Sequence, residues 1–158
     1  MENVPQEMAR AGDELASEVS GERIVFVQTA ADTDGQLLEF DVFLRPRGMG
    51  PPEHIHLVQS EHFRVVAGTL IAKIDGTERT LRAGQEALVP MGIPHTWWNS
   101  GEDELHIRVQ LRPAANFEGM IREYYTLVNA GKITDAGPVD MDAVSAWLER
   151  YRDEYRLV

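Results

Sequence analysis

The sequence predicts an all-β barrel with a two-helix extension at its C-terminal end. Roughly nine short segments rich in apolar, β-branched and aromatic residues recur between turn residues from residue 22 to residue 113. After Pro113 the apolar spacing switches to that of a helix. Between these regions, the stretch from Gly48 to Asn99 gathers His54, His56 and His95 among glycines and prolines, and the chemistry is expected there.

Residues 1–21 are polar, with acids scattered among small side chains, and read mainly as an N-terminal arm, although Met8, Ala11 and Leu15 are spaced for a weak helical face. Strands are expected at 23–29 and 38–44, separated by the turn cluster Asp32-Thr33-Asp34-Gly35. In the second of these Phe40, Val42 and Leu44 share a face, assigned to the barrel interior. A Gly/Pro loop at 46–52 then aims the chain at His54. Further strands are expected at 54–57, 61–66, 70–74, 77–81, 87–89, 95–98 and 105–111, with Asp75-Gly76 as a tight hairpin turn. The barrel is thus assigned to residues 22–113 and the helical extension to 114–158. Phe117, Met120, Ile121, Tyr124 and Val128 form one helical stripe, with Asn116 as N-cap and Gly131 as stop. Val144, Trp147, Leu148, Tyr151 and Tyr155 form a second stripe after Asp140. These stripes are expected to cover a sheet face or a subunit contact rather than to carry catalysis.

At 158 residues the chain suits one domain that buries roughly 70% of its unfolded surface. A net charge of −11 argues against nucleic acid and anionic membrane as partners, both of which need a basic face. The absence of cysteine excludes disulfides, thiolate metal sites and cysteine nucleophiles. With neither a signal peptide nor an apolar run near the ~20 residues of a membrane helix, the expected location is cytoplasmic.

Strand parity selects the ligands. His54 and His56, two apart, point the same way, whereas His62 points opposite to Glu61, and His106 opposite to the apolar set of its strand. His54, His56, Glu61 and His95 remain as a candidate site for one divalent transition metal, with iron, manganese, nickel, copper, cobalt and zinc all compatible with the donor set. Gly48, Gly50, Gly68 and Gly84 read as turn residues, Pro90, Gly92 and Pro94 as the bend that delivers His95, and Asn99 as a brace for that loop. Three neutral imidazoles and one carboxylate around a divalent ion leave a net charge near +1, which favours an anionic or enolisable oxygen ligand. The walls inferred from parity are apolar: Phe40, Val42, Leu44, Phe63, Val65, Leu70, Ala72, Ile74 and Trp97. Phe40, Val42, Phe63 and Trp97 are taken as the candidate substrate contacts. No second inward carboxylate or lysine is evident to serve as an independent base.

The spacing Gly48, His54-Ile55-His56, Glu61, Gly68, followed by Gly84, Pro90-Met91-Gly92, His95 and Asn99, resembles the two signature motifs of the cupin superfamily at every defining position. The resemblance implies a double-stranded β-helix (jelly-roll) barrel, one metal ion per subunit on the four named residues, and commonly a homodimer. A looser likeness, through Gly21-Glu22-Arg23, Arg112-Pro113 and the ending 153–157, is to small bacterial single-domain cupins, some of them labelled after quercetin-type dioxygenases. In similar dioxygenases the carboxylate ligand, here Glu61, doubles as proton acceptor. The leading expectation is a mononuclear metal oxidoreductase of dioxygenase type acting on a small enolisable or aromatic substrate. A non-catalytic small-molecule binding or storage protein and a sugar-phosphate isomerase or epimerase stand as alternatives, because this fold hosts all of them.

Overall fold

A computed structural model describes residues 8–158. Two antiparallel sheets face each other and bury their inner sides. The first runs β1 (Glu14–Ser17), β2 (Glu22–Gln28), β3 (Leu38–Leu44), β10 (Leu105–Arg112), β5 (Ser60–Ala67), β8 (Glu86–Val89). The second runs β13 (Tyr155–Leu157), β4 (His54–His56), β9 (His95–Asn99), β6 (Thr69–Ile74), β7 (Thr77–Arg82). Neighbouring strands in both sheets are mostly distant in sequence, as a jelly roll requires.

The period-two pattern sets which side chains face inward. Phe40, Val42 and Leu44 of β3 lie beside Phe63 and Val65 of β5 and Ile107 and Val109 of β10, all nearly inaccessible to solvent. Asp75 and Gly76, both at positive φ, close the β6–β7 hairpin with Ile74 opposite Thr77.

Gly48 and Gly50 do not serve as positive-φ turn residues, as expected from the sequence. Their φ angles are ordinary, and what they provide is room: a Cβ on Gly50 would overlap the Trp97 carbonyl oxygen. Asn99 braces the loop as expected, donating to the Leu44, Arg45 and Asp103 carbonyls and accepting from Gly101 N–H.

Within the stretch read as an arm, Glu14–Ser17 is an edge strand in register with Ser17–Glu22 at one end and Glu14–Val25 at the other. The first seven residues lie outside the described residues. The helical extension forms α1 (Phe117–Asn129), the short hairpin β11 (Ile133–Thr134) and β12 (Gly137–Pro138), and α2 (Met141–Arg150). Asp140 caps α2 by accepting from Ala143 N–H at 3.0 Å. Asn116 makes no side-chain cap on α1 and instead donates to Glu154. The second helix is shorter than its stripe suggested. It stops at Arg150, and Tyr155–Leu157 pair with β4, with Tyr155 opposite His56 and Leu157 opposite His54. β4 would otherwise be an unpaired edge, and satisfying its backbone groups while burying Tyr155 outweighs one more helical turn.

Candidate metal centre and its chamber

His54 and His56 enter from β4, Glu61 from β5 and His95 from β9, and one ligand atom from each lies within 4.8 Å of all the others. All four side chains are buried, at 1–6% exposure. His54 and His95 face each other across the β4–β9 ladder. The two histidines set aside by parity lie elsewhere: His62 is 3.2 Å from Glu86 on the outer face, and His106 stacks on Phe43 and meets Asp41 at 3.1 Å.

Hydrogen bonds orient the rings. His54 Nδ1–H donates to the Pro52 carbonyl at 2.7 Å and His95 Nδ1–H to the Ile93 carbonyl at 2.9 Å. Each therefore turns Nε2 toward the cluster, the arrangement by which backbone carbonyls set the tautomer of a metal-ligating histidine. Burial, then repulsion from His56 and His95, pushes the His54 pKa down to about 3, so this imidazole stays neutral. Burial opposes charge on His95 too, but the hydrogen bond and charge of Glu61 outweigh it and raise that pKa. Burial likewise pushes Glu61 up, and the nearby charge of His56 with the hydrogen bond and charge of His95 more than reverse this, holding it far below the usual carboxylate range.

The donor set fits a divalent transition ion. Glu61 Oε2 lies 2.7 Å from His95 Nε2 and 3.0 Å from His56 Nε2. Both ring nitrogens of His56 are buried without a hydrogen-bond partner among the described residues. A buried polar ring left unpartnered is costly, and a cation at the centre of the cluster would satisfy it. Neutral imidazole and carboxylate are the forms a metal requires.

Above the cluster lies a chamber of about 50 Å³, with Phe40, Val42 and Trp97 in its walls. Phe63 does not line it. Its ring packs behind His95, 6.2 Å between centroids, and Val65, Leu70 and Ala72 are likewise barrel core. The stripes expected to cover a sheet face supply the roof, a surface that the sequence did not single out. Tyr155 stacks on His54 at 4.9 Å, Phe117 lies 5.6 Å from His56, and Trp147 packs 5.8 Å from Tyr155. Sequence reasoning missed Glu22, a second inward carboxylate that lines the chamber. Counting back by twos from the buried Phe26 and Ile24 on β2 would have found it. A second, larger cleft of about 590 Å³ adjoins the chamber and shares Glu22, Pro51, Tyr124 and Trp147 with it.

The family profile Cupin_2, cupin domain, matches residues 40–109. Protein SchB of Streptomyces halstedii is 30% identical over 114 residues, 72% of this chain and 75% of SchB. The chain belongs to the cupin superfamily. A second relative of this cupin, polyketide synthase CurC of Streptomyces cyaneus, is 35% identical over 63 residues, 40% of this chain and 41% of CurC. Across its curated relatives the matched stretch spans from 24% to 75% of their length. Among solved structures, recombinant oxalate oxidase in complex with glycolate is 25% identical at a TM-score of 0.53, covering 66% of this cupin and 56% of that chain.

Proposed function

We propose that this cupin is a mononuclear metal oxidoreductase of dioxygenase type, acting on a small enolisable or aromatic substrate. The observation that carries the reading is the convergence of His54, His56, Glu61 and His95 beneath an apolar chamber. A divalent transition ion on these residues would supply Lewis-acid activation of an oxygen ligand and, if redox-active, electron exchange with O₂. The protein's own contribution is orientation and exclusion of water. Pro52 and Ile93 carbonyls hold the rings, Phe40, Val42 and Trp97 form dry walls, and Phe117, Trp147 and Tyr155 close the top. Glu61 is the ligand whose release would free a carboxylate to accept a proton. Similarity to an oxalate oxidase supports redox chemistry at such a site, and similarity to a protein named polyketide synthase supports an enolisable carbonyl substrate. The homodimer and the cytoplasmic location expected from the sequence belong to this proposal; no helix of the described residues is long and apolar enough to cross a membrane.

The aromatic roof favours a second reading, a binding module that retains its ligand without turnover. The isomerase alternative loses support, since no lysine or arginine lines either cavity among the described residues to clamp a phosphate. The test is O₂ uptake and absorbance change when metal-reconstituted protein meets flavonols, catechols and β-diketones. Uptake with any of them supports the oxidoreductase. Binding without uptake supports the binding module, and neither uptake nor binding removes both.

A further inference from the structure

The two cavities differ in what they can hold. A space of about 50 Å³ accepts a water or the end of a substrate, whereas about 590 Å³ falls in the range that encloses a small organic molecule. A substrate's body therefore belongs in the outer cleft, with its reacting oxygen reaching the cluster through the neck. Of the four residues at that neck, Glu22, Pro51, Tyr124 and Trp147, Glu22 alone is a carboxylate. Pro51 and Trp147 carry no exchangeable acid, and burial raises the Tyr124 phenol above its ordinary value.

We propose that Glu22 is the proton acceptor for the entering substrate, taking the proton of its enol or phenol hydroxyl at the neck between the two cavities. The substrate O–H bond breaks with its electron pair left on the substrate oxygen, and a carboxyl O–H bond forms on Glu22. The proton then leaves through the outer cleft, which Glu22 also borders. Glu61 keeps its contacts to His56 and His95 throughout this step.

The surroundings of Glu22 suit the role. Tyr125 O–H donates to its Oε1 at 2.6 Å, pinning the side chain by one oxygen. Burial pushes its pKa up to about 7, the Tyr125 hydrogen bond pulls it down, and the charge of Asp135 adds to the rise. A base poised near neutral pH is the efficient kind. The groups facing it are Tyr124 and Tyr125 from α1 and Asp135 from the β11–β12 turn, whose charge is itself paired with Arg45 at 2.9 Å. Tyr125 acts as a positioning residue.

The inference rests on the metal-site reading, and its test separates the two. Carboxyl ¹³C NMR of glutamate-labelled protein, metal-free and zinc-loaded, is expected to show one signal with a midpoint near 7 that vanishes in E22Q and rises further in Tyr125→Phe. Zinc-loaded wild type is then mixed with 4-nitrocatechol, whose visible absorbance reports its ionisation. Anion binding at pH 7 is expected to weaken at least ~10-fold in E22Q, with partial recovery in E22D and unchanged zinc content. A Glu22 signal in the ordinary carboxylate range, equal anion binding by wild type and E22Q, or no binding by wild type overturns the proposal. Failure of wild type to take up zinc, with the titration near 7 intact, sinks the metal reading instead.

Discussion

The floor and the roof of the chamber are built by opposite means. The floor is compact: His54 and His56 sit two residues apart on one three-residue strand, β9 sets His95 opposite His54 by register, and Glu61 reaches them from β5 in the facing sheet. The roof is assembled from afar. Phe117 and Met120 come from α1, Trp147 from α2 and Tyr155 from the last strand, so closure depends on long-range packing of aromatic surface. The floor is polar and oriented by hydrogen bonds to backbone carbonyls, while the roof is apolar and held by contact. Chemistry and enclosure should therefore be separable by mutation.

The largest effect is expected at Trp147, 2% exposed and donating from Nε1 to the Met120 carbonyl at 3.1 Å. Trp147→Ala should cost about 3–5 kcal/mol in denaturant unfolding, with metal still bound under native conditions. Loss of metal in parallel would mean that floor and roof form one unit. Next comes the pH dependence of Glu22. Its folded pKa is raised, so the native state holds a proton the unfolded chain has released, and wild-type stability falls between pH about 4.5 and about 7. E22Q removes that loss and should be more stable than wild type at pH 8 than at pH 4 by about 1–3 kcal/mol. A flat difference across that range would place the carboxylate in solvent.

These two residues also mark where the sequence was legible. The barrel, its strand faces and the four-residue cluster followed from alternation, because a strand's side chains have only two directions to point. The aromatic stripes of the extension were legible as a cover, but not which surface they cover. Tyr155 was lost because its spacing continues the α2 stripe, while the unpaired edge of β4 that draws it into a strand is a hundred residues away in the chain. Glu22 was lost at a boundary: it opens β2 and its acid character hid an inward parity shared with Ile24 and Phe26.

Tyr155→Leu tests a place where roof touches floor, the ring stacked on His54. It should cost about 1–2 kcal/mol by truncation of a buried ring, and metal affinity should drop by about 10- to 100-fold at most, since the ring touches a ligand and not the ion. A larger loss, read by competition with a chromophoric chelator, would make Tyr155 part of the site. At the small end, His62→Ala removes an outer-face histidine near Glu86, and its effect on stability should stay within about 0.5 kcal/mol with metal content unchanged.

The central claim is that His54, His56, Glu61 and His95 hold one metal ion. Its most direct test is the metal content of purified wild type beside His54→Ala, measured by inductively coupled plasma mass spectrometry on folded protein. The account predicts about one equivalent of a single transition metal in wild type and at least ~10-fold less in the variant. A metal-free wild type that also refuses added ions, or a variant that retains its metal, would contradict it.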